Sequence, residues 1–113
     1  MTTTTQIAQQ DWPAFFTRIS NENQGRSLTL AVVDPNAGES GTHKQGKLMA
    51  IDYDPAGEGD DIVISTGVDE LGYSHPIPHP TEVWSAEEGN GKVAALEIVD
   101  RSGAKSILRF SAA

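Results

Sequence analysis

Residues 11–25 read DWPAFFTRISNENQG, and this stretch decides the fold. Trp12, Phe15, Phe16 and Ile19 recur at i, i+3, i+4 and i+7, which places all four on one face of a 3.6-residue helix. The spacing predicts a helix over Asp11–Gly25. Asp11 is a natural N-cap whose carboxylate suits the positive end of the helix dipole. Pro13 falls in the first turn, where a missing N–H costs nothing, and Gly25 supplies the left-handed residue that ends helices. At roughly 1.5–3 kcal/mol per fully buried large side chain, the stripe is expected to be the largest single contribution to the core.

Nearly everything after the helix has strand character. Ser27–Asp34 (SLTLAVVD) alternates Leu28, Leu30 and Val32 against Thr29 and Ala31. Asp34–Gly46 (DPNAGESGTHKQG) is expected to be a long loop, because Asp-Pro opens it and three glycines follow. Lys47–Tyr53 is a second strand with two possible inward sets, Met49, Ile51 and Tyr53 or Leu48 and Ala50; the first is preferred. After the turn Asp54–Asp60, Asp61–Ser65 is a third strand with Ile62 and Ile64 inward. Tyr73–Pro80 (YSHPIPHP) forbids helix and admits only extended backbone at a sheet edge, and Thr81–Ser85 is expected to continue it.

The final hairpin can be registered from its apolar residues. Lys92–Asp100 and Ala104–Phe110 flank Arg101-Ser102-Gly103. A two-residue turn at Ser102-Gly103 would set Leu96 against Arg109. A three-residue loop with Gly103 left-handed sets Leu96 against Leu108, and the hydrophobic pattern selects it. Glu97 then lies opposite Ile107 and diagonal to Lys105 and Arg109.

These elements predict a mainly β, α+β domain: an antiparallel meander of about six strands, coiled into an open barrel or roll, with one N-terminal amphipathic helix packed on it. The runner-up is a two-sheet sandwich with the helix across one end. Residues 1–10 are polar and Thr-rich and are expected to be a frayed, flexible terminus that only Ile7 could anchor. Residues 11–113 form a single domain, with the helix at 11–25 and the sheet at 26–111.

Composition excludes several functions. The 113 residues contain sixteen Asp and Glu against eight Lys and Arg, a net charge of −8, and no cysteine. Disulfides, thiolate metal sites and cysteine nucleophiles are therefore absent, which suits a reducing compartment. The basic residues are scattered, so phosphate neutralisation along nucleic acid or an anionic membrane is disfavoured. No apolar run is long enough to span a bilayer, and MTTTTQIAQQ has neither a basic nor an apolar signal region. A cytoplasmic location is expected.

Candidate chemistry is thin. In Asp52–Asp61 (DYDPAGEGDD), Asp52, Asp54 and Gly57 match the first, third and sixth positions of a calcium loop, but Ala56 and Val63 occupy the fifth and twelfth. His75 and His79 have helical metal-pair spacing, but Pro76 and Pro78 require extended backbone, which separates them by roughly 13 Å. No metal site and no cofactor is expected, and sheet-edge hydrogen bonding is the expected role of the two histidines. Trp84, among Glu82, Ser85, Glu87 and Glu88, is expected in the core, with an exposed binding anchor as the alternative. Neither G-x-S-x-G nor a phosphate-binding glycine loop occurs.

The ordered landmarks DWPAFF, GDDIVIS, SHPIPHPTEVW, AALEIVD and ILRF resemble an uncharacterised bacterial domain-of-unknown-function family, of the 5335 type, over Asp11–Phe110. The resemblance implies a small bacterial protein and carries no catalytic residue to any position. The expected function is a non-catalytic binding or assembly module that meets a protein partner or itself. Its expected surface is the Tyr73–Trp84 edge, with Tyr73, His75, His79 and Trp84 as contacts. The alternative is a small-molecule enzyme that joins His75 or His79 to a carboxylate such as Asp61 or Glu82.

Overall fold

A computed structural model describes residues 2–35, 38–55, 57, 59–68 and 71–111, with backbone alone at 38–44, 68 and 71. Eight antiparallel strands form one sheet: β1 (Thr3–Ile7), β2 (Ser27–Asp34), β3 (Gly38–Asp54), β4 (Asp61–Val68), β5 (Leu71–Pro78), β6 (Pro80–Glu87), β7 (Val93–Asp100) and β8 (Lys105–Phe110). Their order across the sheet is β1-β6-β7-β8-β2-β3-β4-β5. A single residue, His79, joins the edge strand β5 to β6, the strand next to the opposite edge. The sheet must therefore coil until its two ends nearly meet, which makes it an open barrel.

The helix α1 (Trp12–Asn23) follows a 3-10 turn at Gln9–Asp11. All four expected stripe residues are buried in one cluster with Leu28, Leu30, Leu48, Ile62, Ile64, Ile77, Leu96, Ile98 and Leu108. Tyr53 meets the stripe edge-on, 5.4 Å from Trp12 between ring centroids. Gly25 has the expected positive φ of 84°. Asp11 stands at the N-cap position, but its side chain makes no capping hydrogen bond. Its backbone is already turned, at φ −95° and ψ −5°, because the 3-10 turn leads directly into α1. The N-cap geometry expected from the sequence is corrected accordingly.

Beyond Lys47 the ladder between β2 and β3 ends, and the helix end replaces the missing strand. Gly25 N–H donates to the Leu48 carbonyl at 2.7 Å, and Leu48 N–H donates to the Arg26 carbonyl at 2.9 Å. The Ser20 hydroxyl serves both backbone groups of Ile51, accepting from N–H at 2.9 Å and donating to the carbonyl at 3.2 Å. One side chain thus satisfies a donor and an acceptor that the sheet leaves open. Arg26 closes the same end. Its guanidinium reaches the carbonyls of Val93 and Ser111 and the Asn23 side chain, and it lies over the Phe110 ring at 5.1 Å.

Several expectations need correction. Residues 3–7, expected to be a frayed terminus, form β1 on the free edge of β6, where Ile7 packs against the core and its carbonyl accepts the Trp12 indole N–H at 3.0 Å. The expected loop 34–46 is mostly strand: β3 begins at Gly38 and pairs back along β2 as far as Ser27↔Lys47. On β3 both proposed inward sets are half right. Leu48 is buried, an irregularity in register falls between Leu48 and Ala50, and Ile51 is buried beyond it. The bulge changes which residues face inward and leaves Met49 outside, 52% exposed. The single extended segment expected over 73–85 is broken at His79 into β5 and β6. That break and β1 account for eight strands where six were expected. The hairpin register holds: Leu96 faces Leu108, and Gly103 has φ 92°.

Candidate functional site

The junction between β5 and β6 is held by unusual backbone at two described residues. His79 and Asp60 are the two described non-glycine residues with positive φ, at 49° and 50°. They face each other. His79 N–H donates to the Asp60 carbonyl at 2.8 Å, and its Nδ1 lies 2.9 Å from Asp60 Oδ2. The His79 carbonyl accepts from Arg101 N–H at 2.9 Å, which ties the tip of the β7–β8 hairpin to the same point. Pro78 and Pro80 flank His79, so its neighbours' backbones are fixed as well. The histidine side chain remains 45% exposed. A carboxylate on Nδ1 fixes the imidazole's orientation and leaves Nε2 to face outward, an arrangement compatible with proton transfer.

His75 has a different environment. It shares a face of β5 with the buried Ile77, and its Nε2 lies 3.1 Å from Oγ of Ser106, a buried residue of β8. This contact crosses the barrel interior. Desolvation by burial pushes its pKa below the ordinary histidine value of 6.5. Partial burial thus disfavours the charged imidazolium. The expected edge-capping role therefore fails for His75, because its partner lies inside.

The four expected contacts do not form one surface. Tyr73 shares the inward-alternating side of β5 with His75 and is 37% exposed at the barrel's open end. Trp84 lies between the buried Val83 and Ser85, so it points outward, half-buried. Its indole N–H donates to Glu82 Oε1 at 3.1 Å. Its expected place in the core is corrected: strand alternation sends it to the outer face. The carboxylate that joins a histidine is Asp60; Glu82 meets Trp84. Asp54 faces Asp61 across the β3–β4 ladder, and among the described residues no group of three or more His, Cys, Asp or Glu could hold a metal ion. Positions 56 and 58 of the calcium-like stretch lie outside the described residues.

A groove of about 1190 Å³ is lined by residues of β8, β2, β3 and β4 and by Gln24 and Gly25 at the end of the helix. Small residues, among them Ser27, Gly46 and Gly67, share its lining with the apolar Leu28, Leu48 and Phe110. Lys47, Met49, Gln45 and Arg109 stand around it. The bulge that expels Met49 supplies one apolar wall. Register explains the openness: Lys47 has Ser27 on one side and Gly67 on the other, while Arg109 has Thr29 and Ala95. Sequence reasoning missed this site because its residues come from four strands, one of them read largely as loop. The single available signal was the choice between Leu48 and Met49 as the inward residue.

Comparison with known proteins places this geometry in a family. The model of a family of unknown function, DUF5335, matches residues 3–113. An uncharacterized protein of Aquifex aeolicus (strain VF5) is 31% identical over 107 residues, covering 95% of this chain and 91% of that one. No solved structure matches. No helix among the described residues is long and apolar enough to cross a membrane. The match takes in every described strand, and the chain belongs to the family of unknown function DUF5335.

Proposed function

We propose that the chain is a cytoplasmic, non-catalytic binding module, and that its ligand lies in the groove across β8, β2, β3 and β4. The observation that supports this reading is the groove itself, a broad concavity whose lining combines small and apolar residues with an exposed Met49 and two cations. Exposed apolar side chains rimmed by polar groups mark interaction sites. The Tyr73–Trp84 edge is the weaker surface. Pro76 and Pro78 remove N–H groups at alternate positions of β5, which blunts the edge against strand addition. Amide chemical-shift mapping with short peptides tests the reading. Saturable shifts centred on Thr29, Gly46 and Gly67 support it; shifts confined to β5 and β6 return the ligand to the other edge.

A second reading, a small-molecule enzyme, draws on the His79–Asp60 pair, whose Nδ1–Oδ2 distance is 2.9 Å. Hydrolysis of simple activated esters, lost in His79→Gln while the far-ultraviolet spectrum is retained, would favour it.

A further inference from the structure

We infer that the groove takes an extended peptide segment in which apolar residues are interspersed with carboxylates, an inference that rests on the groove being the ligand surface. Charge carries the argument. The chain has sixteen acidic residues in 113, which at its average content would place about two among the sixteen described residues that line the groove. None of those sixteen is acidic, and two, Lys47 and Arg109, are basic.

Of the described cations outside the groove, three are engaged, and two, Lys92 and Arg101, are exposed on other parts of the surface. Arg18 pairs with Glu22 and Glu87, Lys105 with Glu97 and Arg26 with backbone carbonyls. A carboxylate directly across the ladder is the favourable partner for a cation in a sheet. Lys47 and Arg109 instead face serine, glycine, threonine and alanine. Glu97, diagonal to Arg109, lies 4.0 Å from the Lys105 ammonium. The groove is therefore a local positive site in a molecule of net charge −8.

Spacing defines the ligand further. Lys47 pairs with Ser27 and Arg109 with Thr29, on opposite sides of β2 and two residues apart along it. Two strand spacings and one residue pair set the cation Cα atoms roughly 12 Å apart. Carboxylates four positions apart in an extended peptide are separated by roughly 13 Å, a match that long side chains can adjust. The same lining holds small residues such as Ser27 and Gly67, and Met49 offers a polarizable apolar contact. The negative field of the whole chain repels polyanions at a distance, so a segment with two carboxylates fits better than a nucleic acid.

The test uses the full chain and a fluorescein-labelled, terminally blocked octapeptide with Glu at positions 2 and 6 and Val elsewhere. A control peptide carries Gln at both positions. Amide shift mapping and anisotropy are read for wild type and for Lys47→Gln/Arg109→Gln, with circular dichroism and thermal melts confirming that the variant folds. The inference expects saturable binding of the Glu peptide at the groove amides, about tenfold weaker for the Gln peptide and for the double variant. It also expects affinity to fall with added salt. Equal binding of both peptides at Gly46 and Gly67 overturns the acidic ligand and leaves the groove as a binding surface. If neither peptide shifts any groove amide at millimolar concentration, the inference and the groove reading both fall.

Discussion

His79 and Asp60 hold each other through backbone and side chain at once, each with a positive φ near 50°. This doubly bonded pair fixes the one-residue passage from β5 to β6, and with it the coiling that brings the ends of the sheet together. Asp and His tolerate the left-handed region better than most residues, yet glycine has no Cβ penalty there.

Two substitutions at Asp60 separate the effects. Asp60→Gly removes the side-chain bond alone and is expected to cost about 0.5–1.5 kcal/mol, the usual worth of one hydrogen bond. Asp60→Ala loses the same bond and also places a Cβ in the left-handed region, so it is expected to cost about 1 kcal/mol more. Urea denaturation of both variants reads the difference. Equal losses would show that the backbone at 60 is not left-handed.

His75 predicts a pH dependence. Burial lowers its folded pKa beneath the unfolded value of 6.5, so the unfolded chain takes up a proton first on acidification. Its contribution to stability is complete above pH 6.5, declines as pH falls toward the folded pKa, and is gone below it. His75→Gln keeps a side chain able to meet Ser106 but does not titrate. Urea midpoints measured from pH 7.5 down to 5 are expected to fall more in wild type than in the variant. Parallel curves would assign the dependence to another group.

The helix stripe and the last hairpin were legible because their information is local: apolar periodicity in one case, Leu96, Leu108 and Gly103 in the other. The missed features are set by what lies alongside them. Thr3–Ile7 has strand-forming threonines but no apolar alternation; the free edge of β6 makes it a strand. Gly38–Gly46 is polar and glycine-rich, and its partner β2 holds it extended. The bulge at Met49 reconciles two inward sets that a regular strand would make exclusive. The groove depends on the last two of these adjustments, the extension of β3 along β2 and its bulge, so it could not be found before them.

Ser20 supplies a test of the helix acting as a strand. Ser20→Ala removes the hydroxyl that serves Ile51 N–H and carbonyl, in a partly buried position. The loss is expected to be about 1–3 kcal/mol, the cost of leaving a desolvated backbone group unmatched. Hydrogen exchange should accelerate at Ile51 in particular. A loss within 0.5 kcal/mol, about that of an ordinary surface change, would mean that water takes over the hydroxyl's bonds.

Arg26 gathers the ends of the helix, β7 and β8 through its planar fork. Arg26→Lys retains the charge but cannot reach Asn23, Val93 and Ser111 together, so it is expected to destabilise by about 1–3 kcal/mol. Thermal melts of the two proteins at equal ionic strength check this, and an unchanged midpoint would count against the latch.

The β7–β8 turn gives the sharpest test of register. Gly103 has φ 92°, and a Cβ added there would lie 3.4 Å from Cγ of Pro35, an ordinary contact. Crowding is therefore absent, and the penalty for Gly103→Ala comes from the backbone alone, about 1–2 kcal/mol. The Asp100 carboxylate accepts from the N–H groups of Ser102 and Ala104, so the turn resists adopting another conformation to relieve the strain. Glu97→Ala removes only a 4.0 Å ion pair with an exposed Lys105, on the opposite face from Leu96 and Leu108, and is expected to cost about 0–1 kcal/mol. Chemical denaturation should thus rank Gly103→Ala above Glu97→Ala. The reverse order would mean that the loop is not held as Asp100, Gly103 and the Leu96–Leu108 pair require.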